Sequence, residues 1–106
     1  MEYLPFRIAG RDFVVDASRV RAIVPFEGTH HRRAVPVIDL RKRLGLPDVV
    51  YGRRPILVVL DSVSFVADYV SDPIKAYEKD CSRGKLRAGG RPKSVLDPDS
   101  LRIEGR

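Results

Sequence analysis

Tryptophan is absent from this 106-residue chain, which has a single cysteine, one methionine and two histidines. With Cys81 alone, no intramolecular disulfide can form and a cysteine-based zinc site is excluded. His30 and His31 are adjacent. On an extended chain neighbouring side chains point to opposite faces, which places the pair poorly for holding one metal ion, and neither has an evident nucleophile to serve. Long apolar runs are missing as well. The longest, Ile56 to Leu60, has strand length and falls far short of the ~20 residues of a membrane-spanning helix. No membrane insertion is expected, and the N-terminus lacks the charged, apolar, small-residue order of a secretory signal, so a cytoplasmic address is expected. No G-x-x-x-x-G-K-[ST] phosphate loop is present. Asp39, Asp61, Asp68 and Asp72 each sit where an aspartate does structural work, before a helix, at a hairpin or beside a turn containing Pro73. No catalytic residue, metal site or cofactor is expected, and the chain reads as a non-enzyme.

What is there suits one domain over residues 1–106. Hydrophobic residues make up 43% and charged residues 32%, enough apolar material for a core and too much for a disordered tail. Twenty Lys and Arg oppose fourteen Asp and Glu, a formal charge of +6. Arg83, Lys85, Arg87, Arg91 and Lys93 carry five of those charges with no acid between them. The stretch reads as a solvated loop; the alternative is a small basic β-barrel that binds nucleic acid. No Phe, Tyr or Trp lies between Arg83 and Lys93, although Tyr77 is just upstream, so the stacking platforms of a single-strand reader are missing and nucleic acid is the weaker reading.

Phe6 to Ile8 and Phe13 to Val15 read as a hairpin around Ala9-Gly10-Arg11-Asp12. Asp16 offers a cap to a brief helical turn at Arg19 and Val20, after which Arg21 to Phe26 is extended, with Pro25 marking an edge or a strand end. Ala34 to Leu40 is a second extended run. Leu40 to Leu44 follows as one short helix with Asp39 as N-cap, Gly45 closing it in a left-handed conformation and Pro47 blocking continuation. Ile56 to Leu60 reads as a strand buried on both faces, with Val63 to Val70 as its antiparallel partner. From Lys75 to Lys93 the pattern is polar and loop-like. Asp97 caps a last turn with Pro98 at its first position. Ile8, Val14, Val37, Ile38, Val58 and Val66 are the expected core, with Arg41, Lys42 and Arg43 facing water. Ile103-Glu104-Gly105-Arg106 matches a tetrapeptide used as an engineered protease-cleavage site and is set aside as a possible scar. Five or six short strands favour a small all-β barrel or sandwich.

Val35-Pro36-Val37-Ile38-Asp39-Leu40-Arg41-Lys42-Arg43-Leu44-Gly45-Leu46 resembles the CheW-like family, the coupling domains of bacterial chemotaxis arrays. Phe6 to Pro25 looks like that family's first hairpin and its Arg-Val-Arg strand. Ile56 to Leu60 with Val66 to Asp72 is similar to its strand pair ending in Val-Asp-x-Val-x-Asp, and Val95 to Leu101 to its closing Leu-Asp-x-x-x-Leu element. The resemblance marks Pro36, Asp39, Gly45 and Asp68 as motif positions with structural roles. It implies a mostly β fold with one or two short helices, built as two small SH3-like β-barrels, abbreviated in a chain this short. It also implies no catalysis, no cofactor, and binding to the regulatory domain of a histidine kinase and to chemoreceptor tips through exposed apolar patches on barrel edges. An incomplete barrel leaves an unpaired edge that self-association could cover, so a homo-oligomer is a further expectation.

Two departures stand out. The family's Asn-Leu-Arg-Gly motif is missing, since only Glu27 to Arg33 separates Phe26 from Ala34. By spacing, the motif's arginine falls near His31. Arg32 and Arg33 are the available substitutes, and Arg33 shares the face of His31 on an extended chain. The family's late apolar strand region is replaced by the basic stretch from Cys81 to Lys93.

Overall fold

β-Branched and aromatic residues cluster here in short runs punctuated by Gly, Pro and Asp, a pattern that builds strands and little helix. The computed structural model describes residues 1–26, 35–47, 54–76, 81–82, 85–86 and 93–101, with the backbone alone at 81–82 and 101. Among them lie eleven strands: β1 (Glu2–Ile8), β2 (Arg11–Asp16), β3 (Val20–Pro25), β4 (Val37–Ile38), β5 (Ile56–Leu60), β6 (Ser64–Ala67), β7 (Tyr69–Val70), β8 (Ile74–Lys75), β9 (Cys81–Ser82), β10 (Lys85–Leu86) and β11 (Lys93–Val95). One short helix, α1 (Leu40–Arg43), and 3-10 turns at Ala17–Arg19 and Pro98–Leu101 complete this mostly β fold.

The strands form two sheets. Seven belong to one, in the order β7-β1-β2-β11-β10-β9 with β8 also paired to β1; four belong to the other, in the order β3-β5-β6-β4. The resemblance implied two small SH3-like barrels; the described residues show two sheets. Among the described residues their ladders remain open and do not close into rings.

The β1–β2 hairpin is longer than its apolar runs suggest, because its loop has two residues and not four: Ile8 pairs with Arg11. Ala9 (φ 52°) and Gly10 (φ 77°) are both left-handed, as a two-residue turn matching the twist of the strands requires. Asp16 caps the first 3-10 turn, its Oδ1 accepting from Ser18 N at 2.9 Å. The turn redirects the chain from the first sheet into the second.

β1 and β2 pair residue by residue, so Leu4, Phe6, Ile8, Phe13 and Val15 share one face. That face meets Ile38, Leu40, Val58, Leu60, Phe65 and Ala67 in one core drawn from both sheets. Phe6 ties the layers together: its ring stacks on Phe13 at 5.5 Å and tilts against Phe65 at 4.8 Å. Aromatic pairs of this kind add about 0.5–1.5 kcal/mol beyond their buried area. On the opposite face of the first sheet a smaller cluster gathers Tyr3, Val14, Ala76 and Leu86.

Of the six expected core residues, Ile8, Val14, Ile38, Val58 and Val66 are buried, and Val37 is not: it is 46% exposed. Val37 and Ile38 are neighbours on an edge strand, and only one of two successive side chains can face the core. Arg41, expected in water beside exposed Lys42 and Arg43, is mostly buried, because it folds back on Asp39. The interval from Lys75 to Lys93, expected as loop, contributes the end of β8, all of β9 and β10 and the start of β11, and Leu86 is 1% exposed. A lone leucine among lysines, arginines and glycines has no periodicity to announce a strand. Here the ladder to β11 makes one.

Candidate functional site

Most charged groups of the described residues are engaged in holding the fold. Arg19, at the end of the first 3-10 turn, donates from Nε to Asp61 Oδ2 and from Nη2 to Asp61 Oδ1 (2.9 Å) and Asp99 Oδ1 (3.0 Å). It thereby joins the turn before β6 to the C-terminal 3-10 turn. These bonds raise the guanidinium pKa, while the hydrogen bond from Arg19 holds the Asp61 carboxyl below its usual range. Arg7 is likewise raised by its hydrogen bond to Asp12.

The motif positions Pro36, Asp39, Gly45 and Asp68 all lie among the described residues. Asp39 caps α1: its Oδ1 accepts from Arg41 N at 3.0 Å, and both carboxylate oxygens accept from the Arg41 guanidinium at 3.0 Å. The Arg41 side-chain bond is the main reason its carboxyl is depressed. Gly45 takes φ 67° after the helix. The Pro36 carbonyl accepts from Ser64 N (2.8 Å) and Ser64 Oγ (3.2 Å), which anchors β4 to β6. Asp68 Oδ2 accepts from Ala9 N at 3.0 Å and so steadies the strained hairpin tip. The four sites are separate supports and do not converge on one cavity. Arg32, Arg33, His30 and His31 lie outside the described residues, as do Arg83, Arg87 and Arg91. No cluster of His, Cys, Asp or Glu among the described residues could hold a metal ion.

Among the described residues an apolar cleft of about 530 Å³ is lined by Ile23, Val24, Pro25, Phe26, Arg54, Pro55 and Ile56. It lies where β3 forms the edge of the four-stranded sheet. Register explains its composition. Ile23 pairs with Val58 and Pro25 with Ile56, so these side chains share one face, but among the described residues the sheet ends at β3, and Ile23 is 45% exposed. No Asp or Glu is among the described lining residues, and Arg54 is exposed. The sequence reading marked Pro25 as an edge and missed Ile23 and Arg54. The alternation Arg21, Ile23, Pro25 on an edge strand was the available signal.

No family model and no curated protein sequence matches the chain. Solved structures include a similar one. The scaffolding protein TtCheW from Thermoanaerobacter tengcongensis superposes with a TM-score of 0.79 at 14% identity, over 99% of this chain and 94% of that one. The fold is CheW-like. At that identity the likeness is one of architecture: two sheets sharing a core, the second with an apolar edge at β3 that is open among the described residues. No helix of the described residues is long and apolar enough to cross a membrane.

Proposed function

We propose that this chain is a non-enzymatic adaptor of chemotaxis-type signalling, which joins a histidine kinase regulatory domain to a chemoreceptor by protein contacts in the cytoplasm. The observation that carries the reading is the superposition on a scaffolding protein over almost the full length of both chains. The surface agrees with it. An adaptor needs exposed apolar area beside a defined backbone, and the β3 edge offers both. The rival nucleic-acid reading draws on net charge, yet Arg7, Arg19 and Arg41 are each paired to aspartates. Arg33, with Arg32 beside it, stands in for the family's missing arginine.

Calorimetric titration of the purified chain against a cognate kinase regulatory domain tests the proposal, with Arg32→Ala and Arg33→Ala in parallel. Saturable binding by the parent, weakened more by Arg33→Ala than by Arg32→Ala, is the expected result. Absence of binding by the parent overturns the adaptor reading. Equal affinity in all three overturns the arginine assignment alone.

A further inference from the structure

The free edge of β3 has a polarity that limits what can dock there. Phe26 N donates to Pro55 O at 3.0 Å, so Phe26 and, by alternation, Val24 and Ala22 direct their main-chain groups at β5. Ile23 and Pro25 direct theirs outward. Ile23 presents both N–H and C=O; Pro25 presents C=O alone, because proline has no N–H. The edge is therefore open to a short ladder centred on Ile23, and the missing donor at Pro25 keeps a long flat partner from zipping along it.

Exposed side chains add a charge pattern. Arg21, Ile23 and Pro25 are the exposed residues of β3, with Arg21 at the bulge between Val20 and Ala22, and Arg54 and Ile56 line the cleft from the neighbouring chain. The apolar centre of the cleft thus has Arg54 at one end, and Arg21 stands at the bulge beyond the other. Arg21 Nη1 donates to Ser18 O at 3.1 Å, which leaves other guanidinium donors available. Asp61 is the acid in the field of Arg21, and it is already bonded through both carboxylate oxygens to Arg19. Arg54 sits about two residue steps beyond Pro25, so the two arginines are separated by roughly six steps of ~3.3 Å along the strand direction.

We infer that the β3 edge binds an extended partner segment with an acid–x–apolar–x–apolar–x–acid pattern, added as a fifth strand beside Ile23. This deepens the adaptor reading and rests on it. Apolar side chains at alternate positions enter the cleft beside Ile23 and Pro25, and the acids at the two ends meet Arg21 and Arg54. A second copy of this chain is disfavoured at the same edge, since antiparallel self-pairing gathers Arg21 and Arg54 from both copies with no described acid of the cleft between them. The aliphatic centre likewise favours a peptide over nucleic acid, whose bases stack on aromatic rings.

The probe is the blocked synthetic peptide Thr-Glu-Thr-Val-Thr-Val-Thr-Glu-Thr, titrated into the ¹⁵N-labelled full chain, with a lysine-for-glutamate peptide and oligo(dT) titrated alongside. The expected result is saturable shifts along β3, slowed hydrogen exchange at the Ile23 amide, and at least tenfold weaker binding of the lysine peptide. Arg54→Glu should abolish the preference for the glutamate peptide, since Arg21 still opposes the lysine peptide at the other end, while leaving the melting temperature unchanged because Arg54 is exposed. Equal binding of both peptides, an Ile23 amide that stays unprotected, the same shifts with oligo(dT), or sedimentation as a β3-paired dimer each overturns the inference. If the kinase domain binds in the calorimeter without protecting Ile23, the adaptor reading stands and this docking mode falls.

Discussion

In the seven-stranded sheet, β1 is buried on both faces: Leu4, Phe6 and Ile8 enter the shared core, while Tyr3 enters the smaller cluster behind it. It is hydrogen-bonded to β2 along one side and to β7 and β8 along the other. In the four-stranded sheet, β3 has, among the described residues, a neighbour on one side only, and each of its residues is half-buried or exposed. The same kind of sequence, short apolar runs broken by polar residues, makes a structural centre in one place and an open margin in the other. Pairing on both sides and covering of both faces account for the difference. Stability therefore concentrates around β1 and the strands facing it, and the recognition proposed above falls at the margin, where a substitution should alter binding before it alters folding.

The largest effect should come from charging the shared core. Val58→Asp places an unpaired carboxylate at a site that is 0% exposed, at a cost of more than about 4 kcal/mol, comparable with the whole stability of a small domain. Val37→Asp, on the same sheet but at its opposite margin, should leave the melting curve nearly unchanged. Thermal denaturation of the pair checks the contrast, and similar curves would sink it.

Next come truncations in the two clusters. Phe65→Ala removes a ring that touches Phe6 in the shared core and should cost about 3–5 kcal/mol. Leu86→Ala, in the smaller cluster, should cost about 2–3 kcal/mol, near the low end for such changes because that cluster has fewer surroundings to hold a cavity open. Urea titrations decide the order; a larger loss at Leu86 would make the second cluster the principal core.

The hairpin tip offers a smaller, two-signed effect. Asp68→Ala leaves the Ala9 N–H without its carboxylate acceptor and should cost about 1–3 kcal/mol. Ala9→Asn keeps that bond and better suits a left-handed φ, so it should stabilise by about 0.5–1 kcal/mol. If Ala9→Asn destabilises, the strain assigned to the tip is absent.

Acid should produce the mildest change. Asp39 and Asp61 are both depressed by hydrogen bonds from arginine, so the folded state binds protons less readily than the unfolded chain. Their contribution is fully present above the ordinary carboxylate value of about 3.8 and fades as pH falls below it. The melting temperature should be insensitive to these two groups from pH 7 to 5 and decline below pH ~4. Asp39→Asn should flatten part of that decline, and an unchanged acid limb would contradict the role given to the cap.

Legibility in the sequence followed the range of the interaction. Asp39 before α1, Gly45 after it, and the β1–β2 and β5–β6 hairpins were readable because each depends on residues a few positions apart. The all-β class was readable for the same reason. The sheet partners of β4 and β11 were not. Each runs parallel to its neighbour, β4 to β6 and β11 to β2, and hydrophobic alternation says which face of a strand is buried without saying which strand lies beside it. Val37 was misplaced because an unbroken apolar run reads as buried even when the strand has an open side. Leu86 was missed for the opposite reason, a buried residue inside a polar run. At the margin proposed for docking, Pro25 was visible as an edge marker, but Arg54 became relevant only through its place across the ladder from β3.

The parallel ladder between β2 and β11 also sets a timetable. Ser94 pairs with Phe13 and Val95 with Val14, so β2 has β1 on one side early and nothing on the other until the far end of the chain exists. Those residues are made roughly 80 positions later, about 4–16 s at synthesis rates of ~5–20 residues per second. Throughout that interval a finished hairpin with an open flank is in the cell, and the hazard it meets is mispairing with another nascent chain.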